Sequence, residues 1–126
     1  MSEFGRRKVM ILDDNILDVI RAEESLRPAG YDVVILLSSH GAFAKLDYER
    51  PEILLIELNT RRLNTLGLLD AIRASPELDD LVVVLFSSLD AEFLQQWCIE
   101  HDIHGYYSKS MDISKIPDFL DNFYED

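Results

Sequence analysis

Short apolar runs alternate with amphipathic segments along this 126-residue chain. The runs are rich in Val, Ile and Leu, and they predict strands near residues 8–13, 32–37, 52–57, 81–87 and 104–108. The segments between them repeat their apolar residues at helical spacing and predict helices near 15–28, 41–48, 65–74, 90–101 and 114–124. Near-continuous apolar runs are typical of strands buried on both faces, so the pattern predicts an α/β domain with a parallel sheet.

Turn and capping residues divide these elements. Residues 28–30 (Pro-Ala-Gly) end the first helix, and Ser39 is predicted to cap the second. In the last helix, a cap at Asp112 would make Pro117 the fifth helical residue, at a cost of about 3 kcal/mol. A cap at Ser114 puts the proline in the first turn, where its missing N–H needs no partner. We therefore predict that the last helix begins near Ser114.

Composition and charge narrow the class of protein. The length and the 48% hydrophobic content predict one domain over residues 8–124, after a flexible polar segment at 1–7. The net charge of −12 argues against nucleic-acid binding, which needs a basic face. No apolar run approaches the roughly 20 residues that span a bilayer, so no membrane association is expected. No signal peptide precedes the first strand, and the single Cys98 fits a reducing compartment, so we expect a cytoplasmic protein.

Polar side chains follow four of the predicted strands at their carboxyl ends. Asp13 and Asp14 follow the first strand, Glu57 closes the third, Ser87 ends the fourth and Lys109 follows the fifth. In open parallel sheets, ligands bind outside the carboxyl ends of the strands. The sequence therefore predicts that these five side chains converge on one site.

Several motifs together resemble the receiver domain of response regulators in two-component signalling, over residues 8–124. They are Ile11-Leu12-Asp13-Asp14, the run from Pro51 to Glu57, Phe86-Ser87-Ser88 and Tyr106-Tyr107-Ser108-Lys109. The resemblance implies a flavodoxin-like, doubly wound fold: a five-stranded parallel sheet in the order 2-1-3-4-5, with helices on both faces.

The resemblance also implies roles for the site residues. Residue 57 would be the phosphoryl acceptor, Ser87 and Tyr106 the switch residues, and Lys109 the charge-neutralising cation. A weakly held Mg²⁺ would take Asp13, Asp14 and Glu57 as ligands, with the backbone carbonyl of Asn59. No organic cofactor and no enzymatic activity are expected.

The chain departs from the family pattern at four places. Glu57 stands where the family has aspartate, and a carboxylate misplaced by about 1 Å can cost on the order of 10² in rate. Ser110 replaces a proline after Lys109. The loop at 58–67 is longer than usual, lacks its proline and is expected to be mobile. Asp102 replaces a glycine, and aspartate tolerates left-handed backbone better than most residues.

These departures leave several interpretations open. Glu57 fits a phosphomimic that locks an active-like state, an inert site, or a slow acceptor, and the acid pair alone would also suit a helix N-terminus. The leading interpretation is an atypical, stand-alone receiver, or pseudo-receiver, that works by protein contact without aspartyl phosphorylation. The alternative is a phosphorylation-competent or Asp-to-Glu phosphomimetic regulator with Mg²⁺-dependent switching. A flavodoxin-like cofactor binder or small α/β enzyme is remote, because the first turn is acidic instead of Gly-rich.

Two further expectations concern contacts. We expect Glu57 to pair with Lys109 when metal is absent, because the longer side chain reaches toward the amine. We also expect a partner surface on the fourth helix, last strand and last helix, for a kinase, a downstream effector or a second copy. Its anchors would be Phe93, Trp97, Tyr106 and Tyr107, with an acidic rim of Asp118, Asp121, Glu125 and Asp126. The alternative is that the aromatic residues only fill the core.

Overall fold

The structure is a computed structural model, and it describes residues 7–58 and 64–125. Five strands alternate with five helices: β1 (Lys8–Leu12), α1 (Ile16–Leu26), β2 (Asp32–Leu36), α2 (Ala42–Glu49), β3 (Ile53–Ile56), α3 (Thr65–Arg73), β4 (Val82–Ser87), α4 (Ala91–His101), β5 (Gly105–Ser108) and α5 (Ile116–Asp121). Single 3₁₀ turns lie at Pro76–Leu78, Ile113–Lys115 and Asn122–Tyr124. Within the described ranges, no helix is long and apolar enough to cross a membrane.

The strands form one parallel sheet in the order β2-β1-β3-β4-β5, which confirms the predicted flavodoxin-like topology. The central strand β3 shows why both faces are covered, since all four of its side chains are fully buried. Ile53 and Leu55 join the apolar cluster beneath α1 and α5. Leu54 and Ile56 join the cluster beneath α2, α3 and α4. A strand with apolar residues on both sides therefore requires helices on both sides.

Two predicted helix caps are wrong. Ser39 does not cap α2; the helix begins after Gly41, whose φ of +71° suits a residue without a Cβ. Ser114 does not cap α5 either. Asp112 accepts a hydrogen bond from the backbone N–H of Ser114 and starts a 3₁₀ turn, and the α-helix begins at Ile116. Two capping residues, Asp112 and Ser114, precede α5 because the first caps the 3₁₀ turn and the second lies within it.

Two other local predictions are confirmed. Pro117 lies in the first turn of α5, where its missing N–H leaves no helical hydrogen bond unmade. Asp102 ends α4 with a φ of +56°, in the left-handed region expected for the residue that replaces glycine. The predicted flexible segment at 1–7, apart from Arg7, lies outside the described residues, as does most of the loop predicted to be mobile.

Candidate functional site

The carboxyl ends of four strands bring the predicted site residues to one edge of the sheet. Hydrogen bonds beyond the strand ends extend the register by one residue: the backbone N–H of Asp13 donates to Leu36, that of Glu57 to Leu12, and that of Lys109 to Ser87, at 2.8–3.1 Å. Each of these residues therefore starts its loop from a fixed backbone position. The predicted convergence of the strand ends rests on this register.

Lys109 lies at the centre of the site. Its Nζ atom is 2.8 Å from Asp13 Oδ2 and 2.8 Å from Glu57 Oε1, which confirms the expected pairing of Glu57 with the lysine. A third carboxylate, Asp18 Oδ2, lies 2.9 Å from the same nitrogen. The lysine side chain is only 9% exposed and Asp13 only 1% exposed. The site is thus a buried ammonium that contacts three carboxylates.

Asp18 is a site residue that the sequence reasoning missed. It lies in the first turn of α1, and its side chain is 22% exposed. A usable signal was present, because an acid in the first turn of a helix that begins just after Asp13 and Asp14 lies near the same edge of the sheet. Asn15 caps α1 by accepting a hydrogen bond from the backbone N–H of Asp18, at 3.1 Å. The cap fixes where the helix begins and with it the position of Asp18.

The buried ion pairs shift two pKa values. Burial by itself lowers the pKa of Lys109, but the close carboxylates of Asp13, Glu57 and Asp18 outweigh it and raise the pKa above its ordinary value. Burial raises the pKa of Asp13, against the opposing effects of Lys109 and of the backbone N–H of Asn15. The lysine therefore stays charged throughout the physiological range, whereas Asp13 is easier to protonate than an ordinary aspartate, because its donors offset burial only in part.

Glu57 is held at both oxygens. Oε1 contacts Lys109, and Oε2 accepts a hydrogen bond from the backbone N–H of Leu58, at 2.6 Å. The buried hydroxyl of Thr65, at the start of α3, donates to the backbone carbonyl of Glu57 at 3.2 Å. Thr65 was not among the predicted site residues. The carboxylate is therefore turned inward by its own backbone and by the lysine.

The two predicted switch residues lie within strands, Ser87 at the end of β4 and Tyr106 in β5. Ser87 is fully buried, and its Oγ accepts a hydrogen bond from the backbone N–H of Leu89 at 3.2 Å, which closes the turn after β4. Tyr106 is half-buried and packs against the apolar cluster beneath α4. Leu89 and Tyr106 both pack against the apolar cluster beneath α2, α3 and α4.

A serine turn holds the backbone beside Lys109. Ser108 Oγ accepts a hydrogen bond from the backbone N–H of Ser110 at 3.2 Å, and the two hydroxyl oxygens lie 2.8 Å apart. Hydroxyl groups form such local turns readily. The turn compensates for the absent proline at position 110, so the lysine backbone is fixed by a different device.

The arrangement of the carboxylates does not fit the implied Mg²⁺ while the lysine is in place. Mg²⁺ needs an octahedron of oxygen ligands at close to ideal geometry. Asp13 uses Oδ1 to accept a hydrogen bond from the backbone N–H of Asn15 at 2.9 Å, and its Oδ2 makes an ion pair with Lys109 outside hydrogen-bond geometry. Among the described residues, no group of three His, Cys, Asp or Glu side chains is arranged to hold a metal ion. Asn59 lies outside those residues, and Asp14 is half-buried.

The predicted partner face is only partly exposed. Phe93 is 51% exposed, and Trp97 is partly buried and stacks on the ring of His101 at 3.8 Å. Tyr107 is buried at 3% exposure, packs against Phe119 and donates a hydrogen bond to the carbonyl of Asp112. Its prediction as a surface anchor is wrong, because alternate side chains of β5 face opposite sides of a sheet that is covered on both.

The acidic rim also needs one correction. Asp121 accepts a hydrogen bond from the hydroxyl of Tyr31, which lies beside β2, so this carboxylate is engaged away from the predicted face. Asp118 and Glu125 are exposed, and Asp126 lies outside the described residues.

The chain is similar in structure to several proteins of known structure. No protein-family model and no curated protein matches the chain. A response regulator from Desulfuromonas acetoxidans has a TM-score of 0.81 at 13% identity, over 94% of this chain and 96% of its own. Chemotaxis protein CheY4 of Vibrio cholerae has a TM-score of 0.82 at 18% identity, over 94% and 98%. The phosphorylated cyanobacterial phytochrome response regulator RcpA has a TM-score of 0.75 at 22% identity, over 96% and 93%. The chain therefore has the fold of response-regulator receiver domains.

Proposed function

We propose that this chain is an atypical receiver domain of a two-component-type pathway. It acts in the cytoplasm by contact with a protein partner, and it does not use a phosphoryl group on residue 57. The observation that carries the proposal is the position of the Glu57 carboxylate between the ammonium of Lys109 and the backbone N–H of Leu58. An acceptor must present an oxygen to the incoming phosphorus at close to attack distance. Both oxygens of Glu57 instead have close donors inside the protein.

The extra methylene of glutamate explains this position. An aspartate at the end of β3 would hold its carboxylate nearer the backbone, whereas Glu57 reaches Lys109 at 2.8 Å and turns its second oxygen back to the next residue. Phosphoryl transfer depends mainly on positioning and on charge stabilisation. Lys109 is already neutralised by carboxylates, so it would stabilise an incoming phosphoryl group less than a lysine with one acidic partner.

A protein partner is supported by the surface around the edge strand β5. Phe93 and Ile99 of α4 are exposed apolar residues, and two shallow grooves of about 340 Å³ flank Gly105 and Tyr106. One groove lies against α4, and the other against α5, with Phe119 and Phe123 in its wall. Exposed apolar residues of this kind, with acidic neighbours, suit a partner with apolar and basic side chains. That partner would be a kinase, a downstream effector or a second copy.

Acid-labile phosphate on the intact protein tests the proposal. After incubation with acetyl phosphate and Mg²⁺, we expect no added phosphate on the wild-type chain by intact mass spectrometry. We expect partial labelling of the Glu57→Asp variant, since Asp13, Asp14, Ser87 and Lys109 are present and the shorter acid would hold Lys109 less closely, and no labelling of the Glu57→Gln control. Stoichiometric labelling of the wild-type chain that disappears in Glu57→Gln would refute the proposal in favour of a phosphorylation-competent regulator.

A further inference from the structure

The ammonium of Lys109 lies among three carboxylate oxygens. A lysine ammonium has three N–H donors and no acceptor. Three carboxylate oxygens, from Asp13, Glu57 and Asp18, lie 2.8, 2.8 and 2.9 Å from Nζ. Three carboxylates therefore surround one ammonium in a site that is largely removed from water.

The fold fixes the backbones of both residues in the contact between Lys109 and Asp18. Lys109 follows a strand whose pairing continues to its own backbone N–H, at 2.8 Å from the carbonyl of Ser87. Asp18 belongs to the first turn of α1, next to the helix cap Asn15. Groups whose backbones are already held lose little freedom when they pair, so the contact is built in by the strand and the helix together.

We infer that Lys109 is the resident cation of the acidic site and takes the place of the divalent cation that the family resemblance implies. Asp18, which lies outside the receiver-like motifs, supplies the third carboxylate that completes its coordination. A divalent cation within reach of Asp13 and Glu57 would lie a few ångströms from the ammonium. Two positive centres so close repel each other strongly in a poorly solvated site. The site is therefore organised without metal.

This inference is separate from the proposed function, although it concerns the same site. A wild-type protein that binds a divalent cation but takes up no phosphate would overturn the resident cation and leave the proposed function intact. A protein that takes up phosphate would overturn the proposed function instead.

Binding of Mn²⁺, a stand-in for Mg²⁺ that is visible by electron paramagnetic resonance, tests the inference. We expect no saturable binding to the wild-type chain up to about 1 mM. The Lys109→Met variant keeps the length of the side chain but loses its charge, and it should bind Mn²⁺ about tenfold or more tightly than the wild-type chain. Lys45→Met is the matched control, because it removes one lysine charge at a partly exposed pair with Glu49, away from the acidic site, and should behave like the wild type.

Thermal melting with and without MgCl₂, at equal ionic strength, gives the second measurement. A ligand that binds only the folded state raises the melting temperature. We expect Mg²⁺ to raise the melting temperature of Lys109→Met and to leave that of the wild type and of Lys45→Met unchanged. Saturable sub-millimolar binding to the wild type would overturn the inference. So would a Lys109→Met protein that binds Mn²⁺ no better than the wild type, or one that stays unfolded in Mg²⁺.

Discussion

A single methylene changes what the side chain at position 57 contacts. Glutamate is long enough to place one oxygen on Lys109 and to return the other to the backbone N–H of Leu58. Buried charges of this kind stabilise a fold only when each has donors and opposite charges close by. In this site Glu57 and Asp18 share with Asp13 the opposite charge of Lys109, and Glu57 has a second donor in the backbone N–H of Leu58. The residue that departs from the family pattern is therefore part of the local ion-pair network.

A second buried polar contact predicts how stability depends on pH. The hydroxyl of Tyr31 is buried and donates to Asp121. Burial first, and then the hydrogen bond and the charge of Asp121, raise the pKa of this tyrosine above its ordinary value of 10.0. The folded protein thus retains a proton that the unfolded chain releases. This contribution to stability is fully present below about pH 10 and is lost as the pH rises further.

We therefore expect Tyr31→Phe to destabilise the protein by about 1 kcal/mol at a pH of about 8. The difference from the wild type should shrink at a pH of about 10.5, because phenylalanine does not titrate. Urea denaturation at the two pH values measures it. Tyr48→Phe, at an 81% exposed tyrosine, is the control that should change little at either pH. An equal difference at both pH values would contradict the assigned titration.

At single positions, the sequence predicted which strand-end residues meet at the site better than it predicted what each side chain contacts. Asp13, Glu57 and Lys109 were found because they end strands, and the order of strand ends follows from the topology. Asp18 was missed because a helix residue reaches the carboxyl edge of the sheet only if the helix is oriented about its axis with that residue toward the site. Tyr107 was misplaced because a strand with two buried faces has no polar alternation to say which side is exposed.

At the scale of elements, the start of α1 links the fold to the site. Asn15 caps the helix through the backbone N–H of Asp18, whose side chain then reaches Lys109. Loss of the cap would leave a backbone donor without its partner at the place where the helix supplies a carboxylate.

We expect Asn15→Ala to cost about 1 kcal/mol of stability, within the range of about 0.5–2 kcal/mol for lost caps. Asn15→Ser keeps a side-chain oxygen at the cap and should stay close to the wild type. Chemical denaturation of the three proteins side by side measures the effect. Equal stabilities of the alanine and serine variants would show that the cap contributes nothing.

The positions of the ten main elements could be predicted because apolar runs and turn residues agree. Every strand and helix lies where the pattern predicted it, with ends shifted by at most three residues. The starts of α2 and α5 could not be derived the same way. Gly41 begins α2 through a left-handed backbone, without a side-chain cap. A 3₁₀ turn at Ile113–Lys115 precedes α5, and the choice between turn types depends on packing against α1.

At the scale of the whole molecule, one face of the fold carries the expected output. Phe93 is half exposed on α4, while Trp97 in the next turn packs partly into the core. Variants of these two residues can separate binding from stability, because Phe93 lies mainly at the surface, whereas Trp97 belongs to both the surface and the core.

We expect Phe93→Ala to weaken the partner complex, or a homodimer, by more than about 1 kcal/mol with the melting temperature almost unchanged. Trp97→Ala should also lower stability, by less than the roughly 3–5 kcal/mol of a fully buried tryptophan. Tyr48→Ala removes an exposed aromatic residue on α2 and is the matched control for association. Calorimetry and sedimentation of the three variants measure both quantities. Unchanged association of Phe93→Ala would exclude α4 as the contact face.

The rate at which the buried Cys98 thiol reacts with a reagent can report on the movement of α4. Cys98 is the one cysteine of the sequence, it packs on the inner side of α4, and burial raises the pKa of its thiol. Since the thiol is largely buried, a thiol reagent should react with it faster when α4 separates from the sheet, so the reaction rate reports on the opening of that helix. A partner bound across α4 and β5 would hold the helix down and slow the reaction. The natural sequence thus contains its own reporter of docking, without an added label.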